Sequence, residues 1–306
     1  MAGVCGRTET KEGIKIVYPL KCWMKPSGLP VLSRKQIDQL GEEILRDFAP
    51  DLLKRPGALD IDLFVESYLG MELDFQYLSN NGIYLGMTIF DETSKLPVYD
   101  PEKQQAKYFF VKGNTVLIDR SLIRSRKNEG RYRFTVGHEA AHALLHREYY
   151  RWMKNYLQEH PDAKSSHLPP CRAGAYLKPE QRNFQTDHDW LEWQADTLAS
   201  ALLMPKSMVS QEVYDFESYD WSDRFCVDHL AEVFQVSRAA VKCRVKQLNL
   251  HPGFSEVPEA WDEPTRQKAE EKAKREARLK GISRFCSKYG YGDGSLVRAY
   301  LGDYYY

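Results

Sequence analysis

Three residues of one short segment have the types and the spacing needed for metal-assisted hydrolysis. The segment Arg131–His146 reads RYRFTVGHEAAHALLH and contains His138, Glu139 and His142, the pattern HExxH. Residues four apart on an α-helix lie on one face, so the two imidazoles can converge on one ion. Zinc favours nitrogen ligands, and in zinc hydrolases with this pattern the glutamate takes a proton from the attacking water. The segment therefore predicts a zinc site with Glu139 as its general base.

The surroundings of the motif decide between a metal site and an ordinary surface helix. HExxH arises by chance in about one chain in a hundred of this length, so the motif alone is a hypothesis. The alternative is an amphipathic helix with two solvent-facing histidines. The flanking residues from Phe134 to Leu145 are mainly apolar and small. This is typical of a buried helix, where two unpaired histidines would be costly, and the context therefore favours the metal.

The third protein ligand of a catalytic zinc site must come from elsewhere in the chain. His146 is the nearest candidate, but it lies about 12 Å of helix rise from His138, so we expect it to be structural or at the pocket rim. The segment 189–205 reads DWLEWQADTLASALLMP and places Glu192 and Asp196 four apart on one helical face. Glu192 can complete a His–His–Glu site, and Asp196 can accept a hydrogen bond from a ligand imidazole. The alternative for both acids is an exposed helix face.

Together, RFTVGHEAAHALLH and LEWQADTLASALLMP resemble the ImmA/IrrE family of bacterial metallo-endopeptidases. That family pairs HExxH with a second helix of the form ExxA(N/D)xFAxxLLMP, and the resemblance spans about residues 58–250. By position, it implies that His138, His142 and Glu192 bind one Zn²⁺ per chain. It also implies that Glu139 is the general base. The same ligand types admit Mn²⁺ as well.

The resemblance also implies a partner. Members of the family often act on a helix-turn-helix repressor encoded beside them in mobile elements or stress responses, so a transcriptional repressor is the implied protein substrate. The chain departs from the family at Leu198, where Phe is usual, and in the long Pro-rich connection 157–188. That connection is expected to shape a specificity loop without disturbing the ligands.

The order of the predicted elements indicates an α+β fold. The resemblance implies a zincin-like metalloprotease core with a small C-terminal helical module of helix-turn-helix type. A capping box at Ser33 and Gln36 opens the first helix, and one helix is predicted over 131–149. The predicted divisions are an N-terminal arm at 1–32, a metallopeptidase domain at 33–210, a helical module at 211–255, and a charged helix with a Gly/Tyr tail at 256–306.

The sequence leaves two further features of the catalytic site open. The strand patterns at 107–111 and 115–119 flank a turn signal and predict a hairpin, whose free edge is expected to hold extended substrate by β-augmentation. A tetrahedral intermediate also needs an oxyanion donor. The candidates are His188, Tyr149, Tyr150 and Tyr156. The sequence does not choose among them, and each can equally be an ordinary surface or core residue.

Composition excludes several classes of protein. Lys and Arg number 43 against 43 Asp and Glu, and this balance provides no global positive field for nucleic acid or an anionic membrane. The chain has no apolar run of the roughly 18–20 residues that span a bilayer and no signal-peptide pattern, so we expect a cytoplasmic protein. Its six cysteines include no CxxC pair and are expected to be free thiols rather than a zinc ribbon.

Three functions are compatible with these sequence features. The favoured one is a zinc-dependent endopeptidase acting on a repressor. The first alternative is a non-proteolytic regulator that binds a repressor or DNA, with the metal holding the fold. Arg238, Lys242, Arg244 and Lys246 on the second helix of 226–250 would then contact DNA, which the neutral charge disfavours. The second alternative is a toxin–antitoxin or phage-derived module that acts by sequestration. The oligomeric state is open.

Overall fold

The structure, a computed structural model, describes residues 6–10, 13–17, 22–125, 128–160, 171–172, 186–218 and 223–250. The predicted charged helix and Gly/Tyr tail at 256–306 lie outside the described residues, as does most of the 157–188 connection. Helices and strands are mixed along the described chain, which confirms the α+β class. No helix within those ranges is both long enough and apolar enough to cross a membrane.

The bounds of the elements are as follows. The strands are β1 (Gly6–Thr10), β2 (Gly13–Val17), β3 (Trp23–Met24), β4 (Pro30–Val31), β5 (Glu72–Gln76), β6 (Tyr84–Ile89), β7 (Thr93–Asp100), β8 (Gln105–Val111), β9 (Thr115–Asp119) and β10 (Cys171–Arg172). The helices are α1 (Arg34–Phe48), α2 (Ile61–Leu63), α3 (Glu129–Leu145), α4 (Arg147–Glu159), α5 (Asp187–Leu203), α6 (Lys206–Ser218), α7 (Asp223–Val233) and α8 (Arg238–Gln247). A π-helical turn, Phe64–Tyr68, continues α2.

The sheet nearest the predicted site has four strands in the order β10-β6-β9-β5. β9 pairs parallel with β5 and antiparallel with β6, with Ile118 opposite Gly86. β10 pairs antiparallel with β6, with Cys171 opposite Gly86. All five residues of β9 are buried, as expected of a strand with neighbours on both sides. Among the described residues, β10 pairs with only a short part of β6, so β6 is otherwise the outer strand on that side.

The hairpin predicted over 107–119 is wrong. β8 pairs with β7 in a separate two-stranded sheet, whereas β9 enters the four-stranded sheet as an interior strand. The chain changes sheets at Asn114, whose φ is +62° and whose backbone N–H donates to the carbonyl of Phe90 at 3.3 Å. An interior strand has no free edge, so β9 cannot pair with a substrate peptide.

Local sequence signals explain where the helices begin. Ser33 and Gln36 form the predicted capping box at the start of α1, because each side chain bonds the other residue's backbone N–H. Thr186 and Asp189 form a second capping box that starts α5. The predicted single helix over 131–149 is instead two helices, with the break at His146.

The helix α3 is the buried centre of this region. It contacts β6 and β9 on one side and α5 on another, and α5 also packs against α1. Small residues allow this close packing: Ala140 and Ala141 of α3 and Ala195 and Ala199 of α5 are all fully buried. A side chain at Gly41 of α1 would stand 2.9 Å from the Cβ of Ala201. The two helices that carry the motifs are therefore brought together by small side chains.

The described residues divide into two compact units. The first contains the elements up to Lys206 together with 234–237, and the second contains the remainder of α6, and α7 and α8. In the second unit, α7 and α8 pack against each other, and His229 Nε2 lies 2.7 Å from Glu212 Oε2.

Two of the four basic residues that the DNA-binding alternative requires are engaged inside the second unit. Arg244 is fully buried, and Arg238 Nε lies 2.6 Å from Asp228 Oδ1. A recognition helix must present its side chains outward to a groove. The arrangement in α8 therefore gives this alternative little support.

Candidate metal centre

The donor atoms of three predicted ligands lie close enough to share one ion. His138 and His142 come from α3 and Glu192 from α5, and the Nε2 atoms of the histidines are 3.0 Å apart. The Glu192 oxygens lie 3.5 Å from the first Nε2 and 3.4 Å from the second. Tetrahedral ligands at the usual zinc distances are roughly 3.3 Å from one another. The cluster therefore fits a single zinc-sized ion, and no fourth donor of the described residues joins it.

The charge of Glu192 also suits a metal ligand. Burial opposes ionisation of this carboxyl, but hydrogen bonds and charges from His138 and His142 outweigh it and hold the pKa of Glu192 well below its usual range. The side chain is thus anionic at neutral pH. A divalent cation requires deprotonated ligands, and this cluster supplies two imidazoles and one carboxylate.

Glu139 lies beside this cluster with one oxygen anchored and the other without a partner. The hydroxyl of Thr88, on β6, donates to Oε2 at 2.7 Å. Among the described residues, Oε1 has no hydrogen-bond partner although it is buried. Burial raises the pKa of Glu139, because removal from water disfavours the charged form of a carboxyl. A fixed carboxylate with one free oxygen is suited to exchange a proton with a reacting group.

Gly86 of β6 makes the space that Glu139 occupies. A Cβ atom at this position would stand 2.7 Å from Thr135 Cγ2 and 2.8 Å from Glu139 Oε1. The sequence patterns singled out neither Gly86 nor Thr88. A single glycine inside a strand often marks a close backbone approach, so IYLGMTIF carried a signal for Gly86. No comparable signal marks the threonine.

We expect Gly86→Ala to displace α3 and destabilise the protein by about 1–3 kcal/mol, because overpacking a tight core costs this much. The midpoint of urea unfolding measures the effect. Gly137→Ala on α3 is the matched control, since its Cβ would meet Ala199 Cβ at an ordinary 3.5 Å and alanine favours helix. Equal midpoints for Gly86→Ala and wild type would contradict the tight contact.

Asp196 contacts one of the two histidines that are predicted as ligands. Its Oδ1 is 2.9 Å from Nδ1 of His138, which leaves Nε2 of that ring directed toward the other ligands. His146 is neither a ligand nor at a rim. It is fully buried, and its Nδ1 lies 2.9 Å from Nδ1 of His142, on the side of that ring away from the ligand cluster.

The structure separates the four candidates for oxyanion donor. His188 is about half exposed, and its Nδ1 is 3.9 Å from Glu192 Oε1. Tyr149 lies in a buried cluster with Leu29 and Leu191. The ring of Tyr156 stacks between those of Trp152 and His160 near the end of α4.

Tyr150 is the tyrosine whose pKa is affected by the carboxylates of the site. Burial, and then the charges of Glu192, Tyr149 and Glu139, raise the pKa of Tyr150 well above its usual range. Its ring stacks on Phe90 at 5.1 Å between centroids. Tyr150 is therefore a neutral hydroxyl donor within electrostatic reach of both carboxylates.

A groove of about 1200 Å³ runs beside the site. Thr88, which contacts Glu139, and Tyr150 both line it, whereas Glu139 and the three predicted ligands do not. The remaining lining is largely apolar and comes from β6, β7, β8 and α4; it includes Met87, Ile89, Leu96, Met153 and Leu157. Its dimensions and character suit the side chains of an extended peptide.

Comparison with known proteins agrees with this geometry. Residues 172–246 match the model of the IrrE N-terminal-like domain, a peptidase family. The matched range contains Glu192 and Asp196 and begins after HExxH. No curated protein matches the chain. The match supports a protein of the peptidase class.

More specifically, the match supports the resemblance to the ImmA/IrrE family of metallopeptidases, and it covers the second of the two motifs. A peptidase of this family implies a protein as the substrate. The donor cluster of His138, His142 and Glu192 is the position at which such a protein would hold its metal.

Proposed function

We propose that the protein is a zinc-dependent endopeptidase with a zincin-like core, and that its substrate is a helix-turn-helix repressor. The observation that carries this proposal is the juxtaposition of three ligand atoms with the unpartnered Oε1 of Glu139. A metal that only holds the fold usually has four protein ligands and no open position. A three-ligand cluster beside a buried carboxylate favours catalysis instead. We retain 33–210 as the proposed peptidase domain and 211–255 as the helical module.

The residues of the site have separate roles in the proposed hydrolysis. When bound, a divalent ion would supply Lewis acidity, which activates the attacking water and polarises the scissile carbonyl. Thr88 holds Oε2 of Glu139, so Oε1 can take the proton from the water and later deliver it to the leaving amine. Asp196 keeps His138 oriented.

The peptide is proposed to lie along β6 rather than along the 107–119 segment. β10 pairs with β6 at Tyr84 and Gly86. The part of β6 from Met87 onward has no strand beside it on that edge among the described residues, and Met87, Thr88 and Ile89 line the groove. A peptide added to this edge would pass Thr88 and therefore Glu139. Main-chain pairing would hold it extended, and the groove would accept its side chains.

Tyr150 is proposed as the oxyanion donor, and Tyr150→Phe tests this assignment. Loss of a donor that acts on the transition state lowers kcat by about 10²–10³-fold while KM changes little. We expect this result for Tyr150→Phe. For Tyr149→Phe we expect a change in kcat of less than about threefold, since an ordinary hydrogen bond outside the reacting groups contributes far less. Steady-state peptide cleavage by the zinc-loaded variants measures both. Equal losses in the two variants would refute the assignment.

The function as a whole is tested by cleavage of a protein substrate. Zinc-loaded protein is mixed with helix-turn-helix repressors encoded beside its gene, and products are identified by mass spectrometry. Cleavage at one defined bond is expected, and removal of the metal by a chelator should abolish it. Stable binding of the repressor without cleavage would instead support the regulator that acts by binding.

A further inference from the structure

The two ligand histidines are supported in different ways. His138 faces the carboxylate of Asp196, whereas Nδ1 of His142 faces another histidine, His146, at 2.9 Å. His146 is fully buried at the junction of α3 and α4. Its other nitrogen, Nε2, lies 3.0 Å from Oε1 of Gln194 on α5. A continuous polar chain thus leads away from the metal centre into the core.

The far end of this chain defines the direction of its hydrogen bonds. Nε2 of the buried Gln194 donates to the backbone carbonyl oxygen of Pro30 at 2.6 Å. A carbonyl oxygen only accepts, so the amide nitrogen must face Pro30 and the amide oxygen must face His146. An amide oxygen also only accepts. The proton on His146 therefore stands on Nε2.

The tautomer of His146 then determines that of His142. The ring nitrogens of His146 face an amide and an imidazole, and a buried cation without a carboxylate would be costly. A neutral His146 with its proton on Nε2 carries a lone pair on Nδ1. The contact between the two Nδ1 atoms therefore requires His142 to donate its Nδ1–H. Its Nε2 lone pair is then directed at the ligand cluster.

We propose that His146 and Gln194 are positioning residues for the metal centre. A relay of hydrogen bonds, from the backbone carbonyl of Pro30 through Gln194 and His146, sets the tautomer and the orientation of His142. The metal in this inference rests on the proposed function, whereas the relay of hydrogen bonds is a property of the folded chain. The relay does for His142 what Asp196 does for His138. It does so without adding another carboxylate to a site that already holds Glu192, Glu139 and Asp196.

A pair of substitutions at His146 separates positioning from packing. His146→Leu fills the space but offers no acceptor to His142. His146→Asn places an oxygen near the position of Nδ1, where it can accept the same hydrogen bond. Loss of the partner that orients a ligand histidine weakens metal binding by about 10–100-fold. We expect this loss for His146→Leu and less than about threefold for His146→Asn, in which the partner remains.

Zinc affinity is measured by competition with a chromophoric chelator, and near-ultraviolet circular dichroism verifies that each variant is folded. Equal weakening in both variants would show that His146 only packs, and unchanged affinity in His146→Leu would show that no relay operates. Either result overturns the proposal. Normal zinc binding with no peptide cleavage would contradict the proposed peptidase while leaving the relay intact.

The tautomer gives a second readout that needs neither metal nor activity. Long-range proton–nitrogen correlation spectra of the metal-free protein distinguish the two nitrogens of each histidine. We expect a proton on Nε2 of His146 and on Nδ1 of His142, and the latter signal should be lost in His146→Leu but retained in His146→Asn. A proton on Nδ1 of His146 would overturn the relay.

Discussion

Glu139→Gln is expected to lower kcat for peptide cleavage by about 10²–10⁴-fold, the usual contribution of a general base. The amide has the size of the carboxylate, and its oxygen can still accept the hydrogen bond from Thr88, which the structure shows at 2.7 Å to Oε2. The amide nitrogen then occupies the position of the unpartnered Oε1 and cannot take a proton. Fold and metal content should not change, because Glu139 is not among the proposed ligands.

The experiment combines cleavage rates with zinc content from elemental mass spectrometry. Glu148→Gln is the matched control, since Glu148 is exposed and pairs with Arg151 on the surface of α4. It should cleave at the wild-type rate. A Glu139→Gln variant that contains zinc and cleaves as fast as wild type would remove Glu139 from the mechanism. If the wild type does not cleave the repressor, and if wild type and Glu139→Gln bind it equally well, the result would favour the non-proteolytic regulator.

The parts of the site that sequence could predict are those with a helical spacing. His138 and His142 are four apart, as are Glu192 and Asp196, so each pair shares a face of its helix whatever the rest of the fold does. The structure brings both pairs together at the crossing of α3 and α5. Residue type and spacing were sufficient because one helix positions both members of each pair.

The parts that sequence could not predict depend on contacts between distant segments. Thr88 meets Glu139 across 51 residues and Gln194 meets Pro30 across 164, and no local pattern records such pairings. The wrong hairpin over 107–119 has the same origin. Strand patterns indicate which residues are extended but not which strand is the partner. The uninterrupted burial of Thr115–Asp119 is typical of an interior strand.

His146 shows which of two contacts a helical spacing can predict. The sequence excludes it as a ligand, since it lies too far along the axis to join His138 at an ion. In the structure α3 ends at Leu145 and α4 begins at Arg147. The contact of His146 with His142 follows from their spacing of four residues, whereas its contact with Gln194 of α5 depends on the packing of the two helices.

Glu192→Ala is expected to remove zinc from the protein. Structural zinc sites contribute about 10–16 kcal/mol over four ligands, so one ligand accounts for roughly 3 kcal/mol, or about 10²–10³-fold in affinity. Removal of Asp196, which contacts His138 without joining the ligand cluster, should cost less, about 10–100-fold. The expected order of zinc affinity is thus wild type, Asp196→Ala, then Glu192→Ala.

Two measurements check this order. Elemental mass spectrometry should find about one zinc per chain in wild type, as expected of a single three-ligand site. It should find almost none in His142→Ala and Glu192→Ala, whereas Glu159→Ala, an exposed acid on α4, should match wild type. A chelator should lower the Tm of wild type, because a ligand bound only to the native state stabilises it, but not that of Glu192→Ala. Full zinc content in Glu192→Ala would show that the third ligand lies elsewhere, and Glu139 would then no longer lie beside an open coordination position.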